Sequence, residues 1–440
     1  MLTRVLGEIM LAPLSVVSPA LALLTIGAVA HAAAPSSSGA AHWTAHGTSH
    51  SIFITHDVRH YGAACDGITV DTVAIDTALS ALSIGDTLLF PPHATCVIDD
   101  GLTASNLTNV TIDGRGATIL ATGTMSAGKH MLKFRYSTDL VIQDLTIDAN
   151  ATTREAHSLS VGGPARDAIA GGGSTLMFYG AEGLDVVDVD LLDSWHDGLY
   201  LDKGVGIHNS DVWVEGLAAS GAGRNAFTVI DCTDCVFVDM FLADAVAGTF
   251  DIEPYDSTQV VNNVYLLDSV VKAAGAQCIH ATNSAPSASQ IEDLTIAGNA
   301  ISECHLLGKG GYGAAIVLTD VEQVVIEGNS FEDIDLRGAS GSADSRSVID
   351  LFLARNVVIR SNLFDNIRYD PAVSSVFYFW NDTLGYQATH TITQNDLMSV
   401  PSGSGWCWVA TGSPYRTVVE GRVFDNRILG ATQSPNPGCY

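Results

Sequence analysis

The stretch "LTIAGN" (Leu294–Asn299) returns three times along the chain: as "VVIEGN" (Val324–Asn329), "VVIRSN" (Val357–Asn362) and "HTITQN" (His390–Asn395). In each copy an isoleucine stands three positions before the asparagine, and successive copies are 30, 33 and 33 residues apart. Within each copy the apolar residues alternate, which is the period of a strand and not of a helix. Earlier segments keep the alternation without the asparagine, among them "NVTIDG" from Asn109, "DLVIQD" from Asp139, "DVWVEG" from Asp211, "CVFVDM" from Cys235 and "NVYLLD" from Asn263. About ten copies of one short-strand unit at this spacing specify a solenoid.

Leucine-rich, ankyrin and tetratricopeptide patterns are absent. A β-propeller is the competing architecture, but its blades need four strands each. The expectation is therefore an all-β, single-stranded parallel β-helix, in which each coil stacks on the last and closes a thin apolar core. The recurrent asparagine is expected to form a ladder, its amides bonding from coil to coil at one turn.

Composition agrees. Hydrophobic residues make up 47% of the 440 but aromatics only 7%, with 42 glycines, so small apolar residues and tight turns dominate. The formal net charge of −28 repels nucleic acid and anionic membranes, and neither is expected as a partner. Residues 1–32 resemble an export signal, with Arg4 ahead of the apolar "PALALLTIGAVA" and an A-x-A site at Ala30–Ala32. The expected order is then a linker over 33–50, a cap over 51–100, the β-helix over 101–430 and a tail over 431–440. Secreted or periplasmic localisation follows, as monomer or homotrimer, with no membrane attachment after cleavage. Eight cysteines in an exported chain suggest disulfides. Cys65–Cys96, Cys278–Cys304 and Cys407–Cys439 are candidate pairs, and Cys232 and Cys235 are expected either to bond locally or to be buried thiols.

The segment "VRHYGAACDGITVDTVAIDTALSAL" (Val58–Leu82) resembles the opening of the pectate lyase superfamily and polygalacturonase-like β-helix proteins. Tyr61-Gly62-Ala63, Asp66-Gly67 and Asp71-Thr72 with Ala74-Ile75 carry the match, and Val70 departs from it, since the family usually has an acid there. The resemblance implies a right-handed β-helix with a small cap containing a short helix, which Asp71 would N-cap. The polygalacturonase catalytic motifs are not carried: "WHDG" shares only Asp197-Gly198, Arg224-Asn225 stands where paired acids belong, and no Gly-His-Gly or Arg-x-Lys follows.

Chemistry concentrates instead in "GTFDIEPYD" (Gly248–Asp256). On a strand, Asp251 and Glu253 share one face about 7 Å apart, at a repulsive cost. Aligning Leu199, Phe227, Ile252, Ile279 and Ile316 as inward residues places His280 one coil above, Arg224 one below, and His196 with Asp197 below that. The catalytic candidates are Asp251, Glu253, Asp197 and His280. The substrate-binding candidates are His196, Arg224, Tyr200, Trp195 and Tyr255, the aromatic rings offering stacking surfaces for sugar. The leading expectation is a glycoside hydrolase acting on a polysaccharide or oligosaccharide through the carboxylate pair. The alternatives are a lyase or C5-epimerase acting on uronates, with the histidines as bases, and a non-catalytic carbohydrate-binding or adhesive β-helix. No cofactor is required; Ca²⁺ is the one ion the acidic pair suits. Insertions at 151–175, 305–313 and 337–346 are expected to be loops.

Overall fold

A computed structural model describes residues 54–161, 172–284, 291–306, 314–336, 347–368, 375–380, 390–398, 407–411 and 422–428. The expected signal, linker and tail lie outside these residues, as does Cys439. Thirty-two strands among the described residues form one continuous sheet that winds into a solenoid. Strand pairs are parallel from Thr55–Asp57 on Thr87–Leu89 through to Asp396–Leu397 on Arg427–Ile428.

The earlier Leu132–Asp148 and Leu176–Leu192 each run as one continuous strand through the three faces of the coil, whereas from Ser210 on each complete coil holds three strands. In one they are Cys232–Val238, Phe241–Ala243 and Phe250–Ile252; in the next, Val261–Leu267, Val270–Lys272 and Ile279–Thr282. The repeated hexapeptide covers the end of the first strand and the corner after it. At that corner a single residue takes the left-handed conformation: Asp239, Asp268, Gly298, Gly328, Ser361, Gln394 and Asp425 in successive coils. One such residue turns the chain without breaking the stack, which is why Gly and Asp recur there.

The asparagine follows this corner residue, and the ladder forms as expected. Asn329 Oδ1 accepts from both Asn299 N–H and Asn299 Nδ2 at 3.0 Å, while Asn329 Nδ2 donates to Ile296 O at 2.9 Å and Asn362 Oδ1 at 3.0 Å. The same bonds link Asn362 to Asn395 and Asn395 to Asn426. Ser269 closes the lower end by giving its N–H to Asn299 Oδ1. The ladder satisfies backbone groups that the corner would otherwise leave buried and unpaired.

Inward residues of all three strands fill the tube, with Phe227, Phe237 and Phe250 meeting edge to face at centroid distances of 4.8–5.8 Å. Disulfides join Cys65 to Cys96, Cys232 to Cys235 and Cys278 to Cys304. The cap helix runs Thr72–Ser80. Asp71 makes no side-chain cap bond to it. Its buried carboxylate turns inward instead and accepts from the N–H groups of Ala64, Cys65 and Val97, so it ties the cap to the first coils. The insertion expected as a loop from 151 begins as a helix, Ala151–Ser160. Residues 162–171, 307–313 and 337–346 lie outside the described set. No helix among the described residues is long and apolar enough to cross a membrane.

Candidate active site

The third strands of successive coils build the candidate site. Their register runs Lys133, Met177, Tyr200, Thr228, Asp251 and His280 in one outward column. This corrects the alignment read from sequence. Phe227 pairs with Phe250, and Phe250 with Ile279. Ile252 lies beside Val229 and Ala281. A two-residue slip keeps every side chain on its own face, so alternation alone does not detect it. The consequence is chemical: Asp251, and not Glu253, stands in line with His280.

Asp251 is held from both sides. Asn225 Nδ2 donates to Oδ2 at 2.8 Å, and His280 Nδ1 lies 2.9 Å from Oδ1. Asn225 is itself fixed, since its Oδ1 accepts the Gly248 N–H at 2.9 Å and its Nδ2 also reaches Thr228 Oγ1 at 3.1 Å. His280 Nε2 meets Thr282 Oγ1 at 2.6 Å. Burial pushes the His280 imidazole toward its neutral form, but the Asp251 hydrogen bond and the charges of Asp251 and Glu253 more than offset this, and its pKa is raised.

Glu253 follows Ile252 on the same outer face. Its carboxyl is half-buried, and its pKa is raised above the ordinary 4.5, first by burial and then by the Asp251 charge; His280 and Arg224 act the other way. Two acids with unequal surroundings is the arrangement in which one holds a proton while the other is ionised.

Asp197 is fully buried, and four donors surround its carboxylate. Arg224 grips it through Nε at 2.8 Å and a terminal nitrogen at 2.7 Å, the Asn225 N–H donates at 3.2 Å, and His196 Nδ1 lies 3.2 Å away. Burial opposes its charge, yet the His196 and Arg224 contacts outweigh burial and hold its pKa below the usual carboxylate value. Asp197 thus braces the strand entrances.

Trp195 departs from the expected stacking role. Its ring is completely buried, under the Arg154 guanidinium 5.2 Å from the ring centroid, so no sugar reaches it. The insertion helix that carries Arg154 covers it. Tyr200 and Tyr255 do come together, close enough that each perturbs the titration of the other's hydroxyl. Tyr255 is 52% exposed and presents an open ring at the rim. Asn225 appeared in the sequence only as a neighbour of Arg224; its link between Asp251 and Gly248 has no signature in one sequence. Among the described residues the one trio of converging His, Cys, Asp or Glu ligand atoms is Cys65, Asp71 and Cys96, whose sulfurs are bonded to each other. The Ca²⁺ expectation at Asp251 and Glu253 therefore gains no third converging ligand.

No family model matches the chain, and no curated protein matches it. Solved structures do. The N-terminal fragment of bacteriophage Phi29 gene product 12 superposes with a TM-score of 0.57 at 16% identity, over 84% of this chain and 65% of that one. The endo-xylogalacturonan hydrolase of Aspergillus tubingensis gives 0.55 at 13% identity, over 82% of this chain and 99% of that one. The Dettilon tailspike protein gives 0.53 at 15%, over 85% and 68%. The chain thus spans just under two thirds of the first of these. The cap motif, the parallel coils and these likenesses agree: the chain has the right-handed parallel β-helix fold of pectate lyase and polygalacturonase-like proteins.

Proposed function

We propose that the protein is a glycoside hydrolase that cleaves a glycan lying along the third-strand face, with Glu253 as general acid and Asp251 as the carboxylate that activates water. The observation that carries this reading is the asymmetry of the pair: Glu253 is half-buried with a raised pKa, whereas Asp251 is hydrogen-bonded through both oxygens to Asn225 and His280. A protonated Glu253 donates to the departing glycosidic oxygen. Asp251 takes a proton from water on the far side of the ring. The spacing of about 7 Å for residues two apart on a strand falls in the range of inverting enzymes. Asn225 and His280 aim the Asp251 carboxylate, and Asp197 with Arg224 fixes the strands that carry Asn225. Tyr255 offers a stacking surface at the rim. One structural neighbour is named as a polysaccharide hydrolase, which supports a glycan substrate at the level of scaffold only.

A lyase or epimerase fits less well. It needs a neutral base and a cation beside the substrate carboxylate. His280 has its pKa raised, and the nearby Arg224 is already held in two bonds by Asp197. The test is a panel of polysaccharides incubated with the purified protein and with Glu253→Gln. Release of reducing ends that the variant abolishes supports the hydrolase. Ultraviolet absorbance of an unsaturated uronate would overturn it in favour of a lyase, and binding without any product would leave a carbohydrate-binding protein.

A further inference from the structure

The third-strand column extends below the carboxylates to a feature the hydrolase reading does not use. Lys133 and Arg135 flank the inward Phe134 and so point to the same outer face. Both lean on one ring: Lys133 Nζ lies 5.2 Å and the Arg135 guanidinium carbon 5.4 Å from the Tyr179 centroid. The guanidinium also lies 5.1 Å from the Tyr136 centroid and donates to the Tyr136 hydroxyl at 3.2 Å. Tyr136 and Tyr179 meet edge to face. Gly204 makes room for this packing, since a Cβ there would fall 2.7 Å from the Tyr136 ring.

This pairing is costly in a chain with 48 acids and 20 lysines and arginines. Arg59, Lys129, Arg224, Arg360 and Arg427 each close on a carboxylate. Among the described residues Lys133 and Arg135 form no such pair, and the buried Arg135 Nε has no hydrogen-bond partner. Burial and the Arg135 charge both lower the Lys133 pKa, with Asp202 partly opposing them. Asp202 stands in register with Tyr179, one coil above, and its carboxylate is engaged by the Lys203 N–H and Gln259 Nε2. Two repelling cations held on an aromatic platform, with open donors, form a receptor for an anion.

We propose that Lys133, Arg135 and Tyr179 form a subsite for an anionic group, carboxylate or sulfate, on the same glycan that Asp251 and Glu253 cleave. Four register steps separate Lys133 from Asp251, on the order of 20 Å at coil spacing, so an extended oligosaccharide reaches both. The cations thus select a charged substrate at a distance from the bond broken, which reconciles an acidic cleavage centre with an acidic polymer. This inference rests on the glycan lying along the column, but its test reads binding and not cleavage.

The test is calorimetric titration of the whole protein with polygalacturonate, with its carboxyl-reduced form, with chondroitin sulfate and with its desulfated form. Wild type, Lys133→Gln/Arg135→Gln, Lys133→Arg and Glu253→Gln are compared, each checked for an unchanged melting temperature. The expected result is that at least one anionic polymer binds and that the double variant weakens it roughly tenfold or more, the loss expected for charged contacts. Lys133→Arg binds as wild type does, and Glu253→Gln, whatever its overall affinity, loses the same fold in binding as wild type when the anionic groups are removed from the polymer. Loss of affinity on carboxyl reduction assigns a carboxylate, and loss on desulfation assigns a sulfate. Equal binding of charged and neutral forms, an unaffected double variant, or no binding of either anionic polymer overturns the subsite. Cleavage that fails while this binding pattern holds would sink the hydrolase reading and leave the subsite standing.

Discussion

Arg224→Gln is the substitution whose outcome follows most closely from the geometry. The arginine supplies two of the four donors around Asp197, at 2.7 and 2.8 Å, and Asp197 is fully buried. Removing it leaves a buried carboxylate with the Asn225 N–H and His196 as its remaining partners. Breaking a buried pair in this way costs about 3–5 kcal/mol. The arginine side chain is 32% exposed, so the lower end of that range applies, about 3 kcal/mol at neutral pH. The pH dependence sharpens the test. In the wild type the Asp197 pKa is depressed, so its stabilisation is present above the unfolded value and lost only as pH falls through the lower folded value. In the variant the carboxylate keeps only the Asn225 N–H and His196 against the cost of complete burial, so its folded pKa is expected to rise above the unfolded value and its penalty to grow as pH increases. Urea unfolding followed by tryptophan fluorescence at pH 4 and pH 7 is the assay. The variant should lose about 3 kcal/mol at the higher pH and less than half of that at the lower one. Adding Asp197→Asn should restore most of the loss at neutral pH. A loss below about 1 kcal/mol, or one equal at both pH values, would refute the claim that Arg224 serves to neutralise a buried charge.

Asn329→Ala should cost about 3 kcal/mol, since it removes the side-chain bonds to Ile296 O, Asn299 and Asn362 and strands the Asn299 N–H; the same unfolding assay checks it, and a neutral result would mean that the ladder is incidental. His280→Gln bears on the acid. His280 lowers the Glu253 pKa, and activity should fall on the alkaline side as Glu253 loses its proton. Removing the imidazole should therefore move that alkaline limb of kcat/KM to higher pH, and a shift downward would contradict the assignment of Glu253 as proton donor.

The architecture was legible because the coil repeats its own corner. Alternating apolar residues ending in the Asn of 299, 329, 362 and 395 give strand, turn and period together, and the ladder bonds are those the spacing implies. Asn426 extends the ladder without being recognised, because Val423 stands where the other copies have the isoleucine three positions before the asparagine. The site was legible in kind and blurred in register. The coil from Phe227 to Phe250 is 23 residues, shorter than its neighbours at 28 and 29, and a slip by an even number leaves the inward and outward sets unchanged. The burial of Trp195 could not be read at all, because it depends on Arg154 arriving from an inserted helix about 40 residues earlier. Asp197 and Arg224 were recognised as neighbours, but their mutual capture depends on a depth of burial that no local pattern reports.

The most direct test of the central claim is cleavage of a responsive glycan in water enriched in heavy oxygen, with the products weighed by mass spectrometry for wild type, Glu253→Gln and Asp251→Asn. A hydrolase places one oxygen from solvent at each new anomeric carbon, and loss of the general acid should slow the reaction roughly a hundredfold or more. Products carrying one heavy oxygen, and both variants slowed to that extent, is the predicted result. Products lacking the label and bearing a new double bond, or labelled products formed equally fast by Glu253→Gln, would contradict it.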